Sequence, residues 1–323
     1  MSPISPREVT VSEPVLKTDC LLGEGPLWDS KSGTLHFLDI NKHQVFHYHF
    51  ESGNLTRDQY KESIGCLALR KDGGLACAAR QGFALLTRTE NGEPGISYIA
   101  RPLPAADVPF VRFNDGACDA KGRFFAGTIQ SSYPPIGGRL YRLDPDGTCE
   151  LVDADGISDG NGLGWSEDHR ILYFTDSLNH RIFAYDYDID TGKASNRRVH
   201  IDTTANGLGT ASFPDGFCID HLGGIWSARW GGSKVVRHAP GGGIDFVIHV
   251  PKALNVTACC FGGPNLDHLF VTTASCLAEG GDESLTREHK AALQEKFPDS
   301  GNVFVVDLHG EFREGKYRYE YLG

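Results

Sequence analysis

From the amino terminus onward, short stretches of apolar residues alternate with polar ones, and the same arrangement returns six times. Each copy opens on a Gly-containing turn and an apolar strand, reverses at an Asp-, Gly- or Asn-rich hairpin, and continues through a second and third strand. Period-two alternation punctuated by Gly and Asx residues predicts short antiparallel strands. In the first copy Gly23-Glu24-Gly25-Pro26-Leu27-Trp28-Asp29 precedes a turn at Ser32-Gly33, followed by Leu35-His36-Phe37-Leu38-Asp39 and Val45-Phe46-His47-Tyr48. Copies two to five begin at Ile64-Gly65-Cys66, Asn114-Asp115-Gly116, Asn161-Gly162-Leu163 and Asp215-Gly216-Phe217, and the sixth at Val256-Thr257-Ala258.

Alignment on Gly25, Gly65, Gly116, Gly162 and Gly216 gives spacings of 40, 51, 46 and 54 residues. These are the periods of propeller blades carrying loop insertions. A unit of three or four short strands cannot bury both faces alone, whereas six stacked copies closed into a ring leave no long edge. The pattern therefore predicts an all-β chain, a six-bladed β-propeller forming one domain over residues 1–323, with a metal site in its central channel. Val9 to Leu16 alternate loosely and are expected to add an outer strand to the last blade, beside Asn302 to Leu308. One segment departs from the β pattern: Glu283 to Lys296 reads as a surface helix capped by Ser284 and stopped by Pro298, or else as a solvated loop.

Composition narrows the function. Thirty-nine Gly against one Met suits a chain that turns often and packs branched and aromatic side chains. A net charge of -11 argues against a nucleic-acid partner, which needs concentrated Lys and Arg. Met1 to Glu13 has no apolar core of signal-peptide length, and no later run reaches the ~20 apolar residues of a membrane span. A soluble cytoplasmic protein with no membrane partner is expected. Nine cysteines without any Cys-x-x-Cys pair indicate neither a disulfide framework nor a zinc ribbon, and they read as small buried hydrophobes. Adjacent Cys259 and Cys260 in a strand face opposite ways.

In a propeller the innermost strands start at one end of the channel, so equivalent repeat positions converge. The residue before the aligned glycine is Glu24 in copy one, Asn161 in copy four and Asp215 in copy five. Copy three offers Asp115 in strict register and Asn114 one residue earlier. Oxygen donors without His or Cys suit Ca²⁺, Mg²⁺ or Mn²⁺ better than structural zinc. The same residues also read as ordinary turn residues, because Asn-Gly and Asp-Gly are common turn dipeptides. His43, His47 and His49 lie toward the outer end of a blade and read as solvated or packed. No Gly-x-Ser-x-Gly elbow supports a serine nucleophile.

Gly-Glu-Gly-Pro-Leu-Trp at 23 to 28, Arg-Phe-Asn-Asp-Gly at 112 to 116 and Asn-Gly-Leu-Gly-Trp-Ser at 161 to 166 together resemble the senescence-marker-protein/gluconolactonase family. Tyr173 to Ser177, Phe213 to Gly216 and Cys259 to Gly263 add to the match, which spans nearly the whole chain. The resemblance implies a six-bladed propeller with one divalent ion, Ca²⁺ ahead of Mg²⁺, Mn²⁺ or Zn²⁺, held by Glu24, Asn161 and Asp215. It implies Arg112 and Asn114 as sugar contacts and Asp215 as general base. Family members carry acidic residues where this chain has Ser131, Ser132 and Tyr133, so one hydroxyl contact is expected to differ.

The resemblance points to metal-dependent hydrolysis of an aldono-1,4- or 1,5-lactone, with L-rhamnono-, L-arabinono- and D-glucono-lactone all admissible. A lactone is an ester, and a Lewis acid with a neighbouring carboxylate meets its chemical needs. A propeller phosphotriesterase and a non-catalytic calcium-binding regulator are the competing functions.

Overall fold

Strands form where the alternation is closed by Gly, Asn or Asp turns, and hairpins occupy the predicted turns from Ser32-Gly33 to Gly263-Pro264. The computed structural model describes residues 5–279 and 285–323. After β1 (Arg7–Thr10), the first sheet runs β2 (Gly23–Asp29), β3 (Thr34–Asp39), β4 (Gln44–His49) and β5 (Asn54–Gln59). The second runs β6 (Ile64–Leu69), β7 (Leu75–Ala79), β8 (Gly82–Arg88) and β9 (Pro94–Ala100). In the third, β10 (Phe113–Cys118) and β11 (Phe124–Thr128) are followed by a separate hairpin, β12 (Ser131–Ser132) with β13 (Pro135–Ile136). That sheet then resumes with β14 (Leu140–Leu143) and β15 (Cys149–Asp153).

The fourth sheet comprises β16 (Gly160–Trp165), β17 (Ile171–Asp176), β18 (Arg181–Asp188) and β19 (Lys193–Asp202). The fifth comprises β20 (Phe213–Ile219), β21 (Ile225–Trp230), β22 (Lys234–His238) and β23 (Ile244–His249). The sixth has β24 (Asn255–Gly262), β25 (His268–Ala274) and β26 (Val303–Asp307), with α1 (Arg287–Lys296) between the last two. Six antiparallel sheets of this size are the blades of a six-bladed β-propeller, as the repeat predicts.

The chain divides into two units. One contains the chain up to Lys42, Phe46–Thr56 and Thr203–Gly315; the other contains His43–Val45, Arg57–Asp202 and Lys316–Gly323. In the first, Trp28, Phe37, Phe46, Cys260 and Phe270 share a core, and Trp28 stacks on Phe270 with ring centroids 5.7 Å apart. In the second, Phe83, Phe113, Phe124 and Tyr141 form one core, and Phe125, Trp165, Phe174 and Tyr187 another. Each such side chain stabilises its unit by roughly 1.5–3 kcal/mol on burial. The carboxy-terminal residues join the second unit. The Trp165 amide donates to the Tyr317 carbonyl (3.2 Å), the Tyr319 amide to Cys118 (3.1 Å) and the Tyr321 amide to Leu69 (2.8 Å), so this segment crosses the ends of β16, β10 and β6.

Three expectations change. β1 pairs in parallel with β23 of the fifth sheet, Val9 opposite Ile248, and only Leu16 bridges Val303 of the sixth. Ladder pairing depends on which edge is open, and alternation along the segment does not report that. The helix begins at Arg287 under Thr286, whose side chain accepts from the His289 amide, while Ser284 lies outside the described residues. The glycines used to align the copies are strand residues and not turn residues. The cysteine reading agrees: all are reduced, all but Cys149 are buried, Cys259 faces Cys218 with sulfurs 3.6 Å apart, and Cys260 faces the Trp28 core.

Candidate active site

The innermost strand of every sheet is interrupted near its start by a register shift. In four sheets two residues oppose one: Gly25-Pro26 opposite Phe37, Asn114-Asp115 opposite Gly127, Asn161-Gly162 opposite Thr175, and Asp215-Gly216 opposite Ala228. In β6 and β24 a single residue, Gly65 or Thr257, is extra. A bulge releases its residues from ladder pairing and re-aims their side chains, a device common beside active sites.

This geometry corrects the register read from the glycines. Asn114, Asn161 and Asp215 occupy the first bulge position of their strands, whereas Asp115 takes the second position, the one held by Gly162 and Gly216. Alignment on Gly116 had slipped by one residue. Glu24 is the last paired residue before its bulge. Close packing explains the glycines: a Cβ on Gly65 would lie 2.4 Å from the Phe113 carbonyl oxygen, and one on Gly216 would lie 2.5 Å from the Ala258 Cβ. Gly25 alone among the five aligned glycines has a positive φ, 55°.

In the second unit three of the predicted residues are joined. Arg112 Nη1 donates to Asn114 Oδ1 (2.6 Å) and to the Phe113 carbonyl (3.1 Å). Asn114 Nδ2 donates to Asn161 Oδ1 (3.0 Å) and to the Gly160 carbonyl (3.1 Å), and Asn161 Nδ2 donates to Ser177 Oγ (2.7 Å). Every donor in this relay points the same way, so both amide oxygens are oriented before any ligand arrives. Asp115, behind Asn114, accepts from the Gly116 amide (2.6 Å); burial raises its pKa and the Arg318 charge opposes the rise.

Asp159, which the sequence did not single out, lies beside this relay. Its amide donates to Asp176 Oδ1 (3.1 Å), its carbonyl accepts from the Ser177 amide (3.0 Å), and it bridges Ile129. Asp176 anchors the same turn by accepting from the Ser158 hydroxyl and amide and from Asn179 Nδ2 (2.7 Å). Burial pushes the Asp159 carboxyl up to about 6, against the pull of the Arg112 guanidinium. Read in sequence, Ser158-Asp159-Gly160 is a turn motif. Its nearness in sequence to Asn161 is the only local hint; what singles it out is its buried carboxylate oxygen. The hairpin carrying Ser131 and Ser132 projects Tyr133, which is 90% exposed.

In the first unit Glu24 and Asp215 are buried carboxylates. Glu24 Oε2 accepts from the Gly25 amide (3.0 Å). Arg229, fully buried, donates from Nη2 to the Ser212 carbonyl (2.6 Å) and hydroxyl (3.0 Å). Burial lowers the Arg229 pKa to about 10, and the Asp215 charge is what opposes that loss. Neither Arg229 nor Ser212 was anticipated. Asp267, His268 and Asp307 form a separate group with ligand atoms within 4.8 Å of one another, at the start of β25 and the end of β26, away from the bulges. Among the described residues no helix is long and apolar enough to cross a membrane.

Six blades of this kind, with oxygen donors at the starts of several of their inner strands, place the chain among the β-propellers. The family model described as "SMP-30/Gluconolactonase/LRE-like region" matches residues 22–275, and the chain belongs to that family. It is 33% identical to regucalcin of Xenopus laevis over 302 residues, covering 90% of this chain and 94% of that protein. A solved calcium-binding protein, regucalcin, from Agrobacterium tumefaciens has a TM-score of 0.82 at 27% identity, covering 98% of this chain and 99% of that one. A gluconolactonase of Xanthomonas campestris, at 19% identity, shares the fold with a TM-score of 0.64 over 80% of this chain and 84% of its own.

Proposed function

We propose that the protein is a metal-dependent sugar lactonase that opens an aldono-1,4- or 1,5-lactone to the free aldonic acid. D-Glucono-, L-arabinono- and L-rhamnono-lactone are the substrates to try first. One divalent ion, Ca²⁺ in the first instance, is held by Glu24, Asn161 and Asp215. The donors fit such an ion in their chemistry: two buried carboxylates and an amide oxygen are hard ligands, and carboxylates withdrawn from water need a compensating cation. Arg229 supplies part of that compensation to Asp215. When bound, the ion acts as a Lewis acid that polarises an ester carbonyl and acidifies water.

This chain's own residues supply the rest. Arg112 and Asn114 hold the sugar, the guanidinium taking hydroxyl or carbonyl oxygens as acceptors. Asp215 accepts the proton of the attacking water. Asn114 also fixes the Asn161 amide, which couples sugar contact to ligand orientation. That relay, from Arg112 through Asn114 to Asn161, is the observation that carries the reading.

The test is proton release on a lactone panel after chelation, with Ca²⁺, Mg²⁺, Mn²⁺ or Zn²⁺ restored singly. Turnover that vanishes on chelation and returns with one ion supports the proposal; turnover indifferent to chelation ends it. The similarity to the calcium-binding protein of Agrobacterium tumefaciens favours one second reading, a calcium-binding protein without turnover. Tight calcium binding with no hydrolysis of any lactone would select it.

A further inference from the structure

Asp159 is held at both its main-chain amide and its carbonyl, at the start of β16 and directly before the Gly160-Asn161 bulge. Its carboxylate takes no part in that framework. Oδ1 is buried and accepts no hydrogen bond from any described residue, while the residue as a whole is part-exposed. A desolvated carboxylate oxygen without a donor is costly, and native proteins keep few of them. The favourable charge acting on it is that of Arg112, against the like charge of Asp176, and the Arg112 guanidinium is itself directed onto Asn114. An acceptor lacking a donor thus stands beside a guanidinium, at one end of the Arg112–Asn114–Asn161 relay. Vicinal hydroxyls match this pair, because each hydroxyl both donates and accepts.

We propose that Asp159 determines specificity: its carboxylate accepts hydrogen bonds from ring hydroxyls of a polyhydroxylated lactone, whose neighbouring oxygens Arg112 engages. This rests on the lactonase reading and assigns the hydroxyl acceptor within that site. Sites built to bond a substrate hydroxyl reject analogues lacking it far more strongly than apolar pockets discriminate size.

The experiment compares kcat/KM for D-glucono-1,5-lactone and δ-valerolactone, the same ring without hydroxyls, in wild type, Asp159→Ala and Asp159→Asn. The ratio of the two is expected to fall about 10²-fold in Asp159→Ala and about 10-fold in Asp159→Asn, whose amide oxygen still accepts but carries no charge. A parallel loss on both lactones, with the ratio unmoved, overturns the proposal and leaves Asp159 as a structural support of Arg112. Calorimetric titration with sorbitol, alongside circular dichroism of each variant, separates this from the fate of the lactonase reading. Sorbitol binding by wild type that weakens in both folded variants supports the hydroxyl contact even if no lactone is hydrolysed. Equal sorbitol affinity in all three proteins, or none in wild type, overturns it.

Discussion

The two units place different polar groups at or beside the bulges that carry the predicted donors. The first contributes charge: Glu24 and Asp215, buried, with the buried Arg229 behind Asp215. The second contributes neutral amides, Asn114 and Asn161, wired in one direction from Arg112 to Ser177. Charge withdrawn from water is available for metal and proton chemistry but is expensive to hold, whereas a hydrogen-bonded amide relay is cheap and fixes geometry. The difference predicts that damage to the first unit removes chemistry and damage to the second removes precision.

The largest effect belongs to Asp215→Asn. The amide keeps an oxygen for a metal but cannot take a proton from water, so kcat should fall on the order of 10²-fold or more, with no recovery at any metal concentration. A metal titration of kcat decides; near-normal turnover at saturating metal would make Asp215 a ligand only. Glu24→Gln should behave differently. Activity falls about 10-fold at limiting metal and returns as metal is added, because the loss is one of ligand charge. Failure to recover would place Glu24 in the chemical step.

A pH measurement sharpens the contrast from outside the bulges. His36 Nδ1 meets His47 Nδ1 at 2.7 Å in the first unit, and burial, reinforced by the His47 charge and opposed by Asp29, lowers its pKa to about 4. A folded-state value below the ordinary one means the neutral form is favoured on folding. The contribution is present above about 6.5 and is lost as pH falls toward 4. Thermal melts of wild type should therefore lose on the order of 1–2 kcal/mol across that window, after allowance for partial exposure, and His36→Asn should flatten the loss. An unchanged slope in the variant would assign it elsewhere. The smallest effect is expected for Ser177→Ala, which unties the far end of the relay: about 1 kcal/mol of stability and a few-fold rise in KM at constant kcat. An equal drop in kcat would give the second unit a chemical role.

The strands, their turns and the sixfold repeat were legible because period-two alternation and Gly/Asx turns act locally. Glu24, Asn161 and Asp215 stood out through their shared register, yet the residue type that aligned them misled. Glycine before or after a donor reads as a turn, whereas Gly65 and Gly216 are there because a Cβ would strike a neighbouring strand. That contact lies between segments about 40–50 residues apart, and no local pattern encodes it. The same distance hid the bond between Asn114 and Asn161. Arg229 and Asp159 escaped for a related reason: what marks each is a buried polar atom and a charged neighbour, and both are properties of packing.

The amino-terminal strand has a consequence for how the molecule meets its own copies. β23 would otherwise offer a row of unpaired amides and carbonyls at the margin of the fifth sheet, and β1 covers it with four parallel pairs from Arg7 to Thr10. Beyond the ladder the cover is fastened mostly at the surface: Arg7 pairs with Glu311 and lies over Phe246, Glu8 pairs with His249 (3.0 Å), Glu13 with Lys252 (2.6 Å), and the Val11 amide donates to the His249 carbonyl (2.9 Å). Proteolytic trimming past Thr10 would bare the β23 edge and favour edge-to-edge association of copies of the chain.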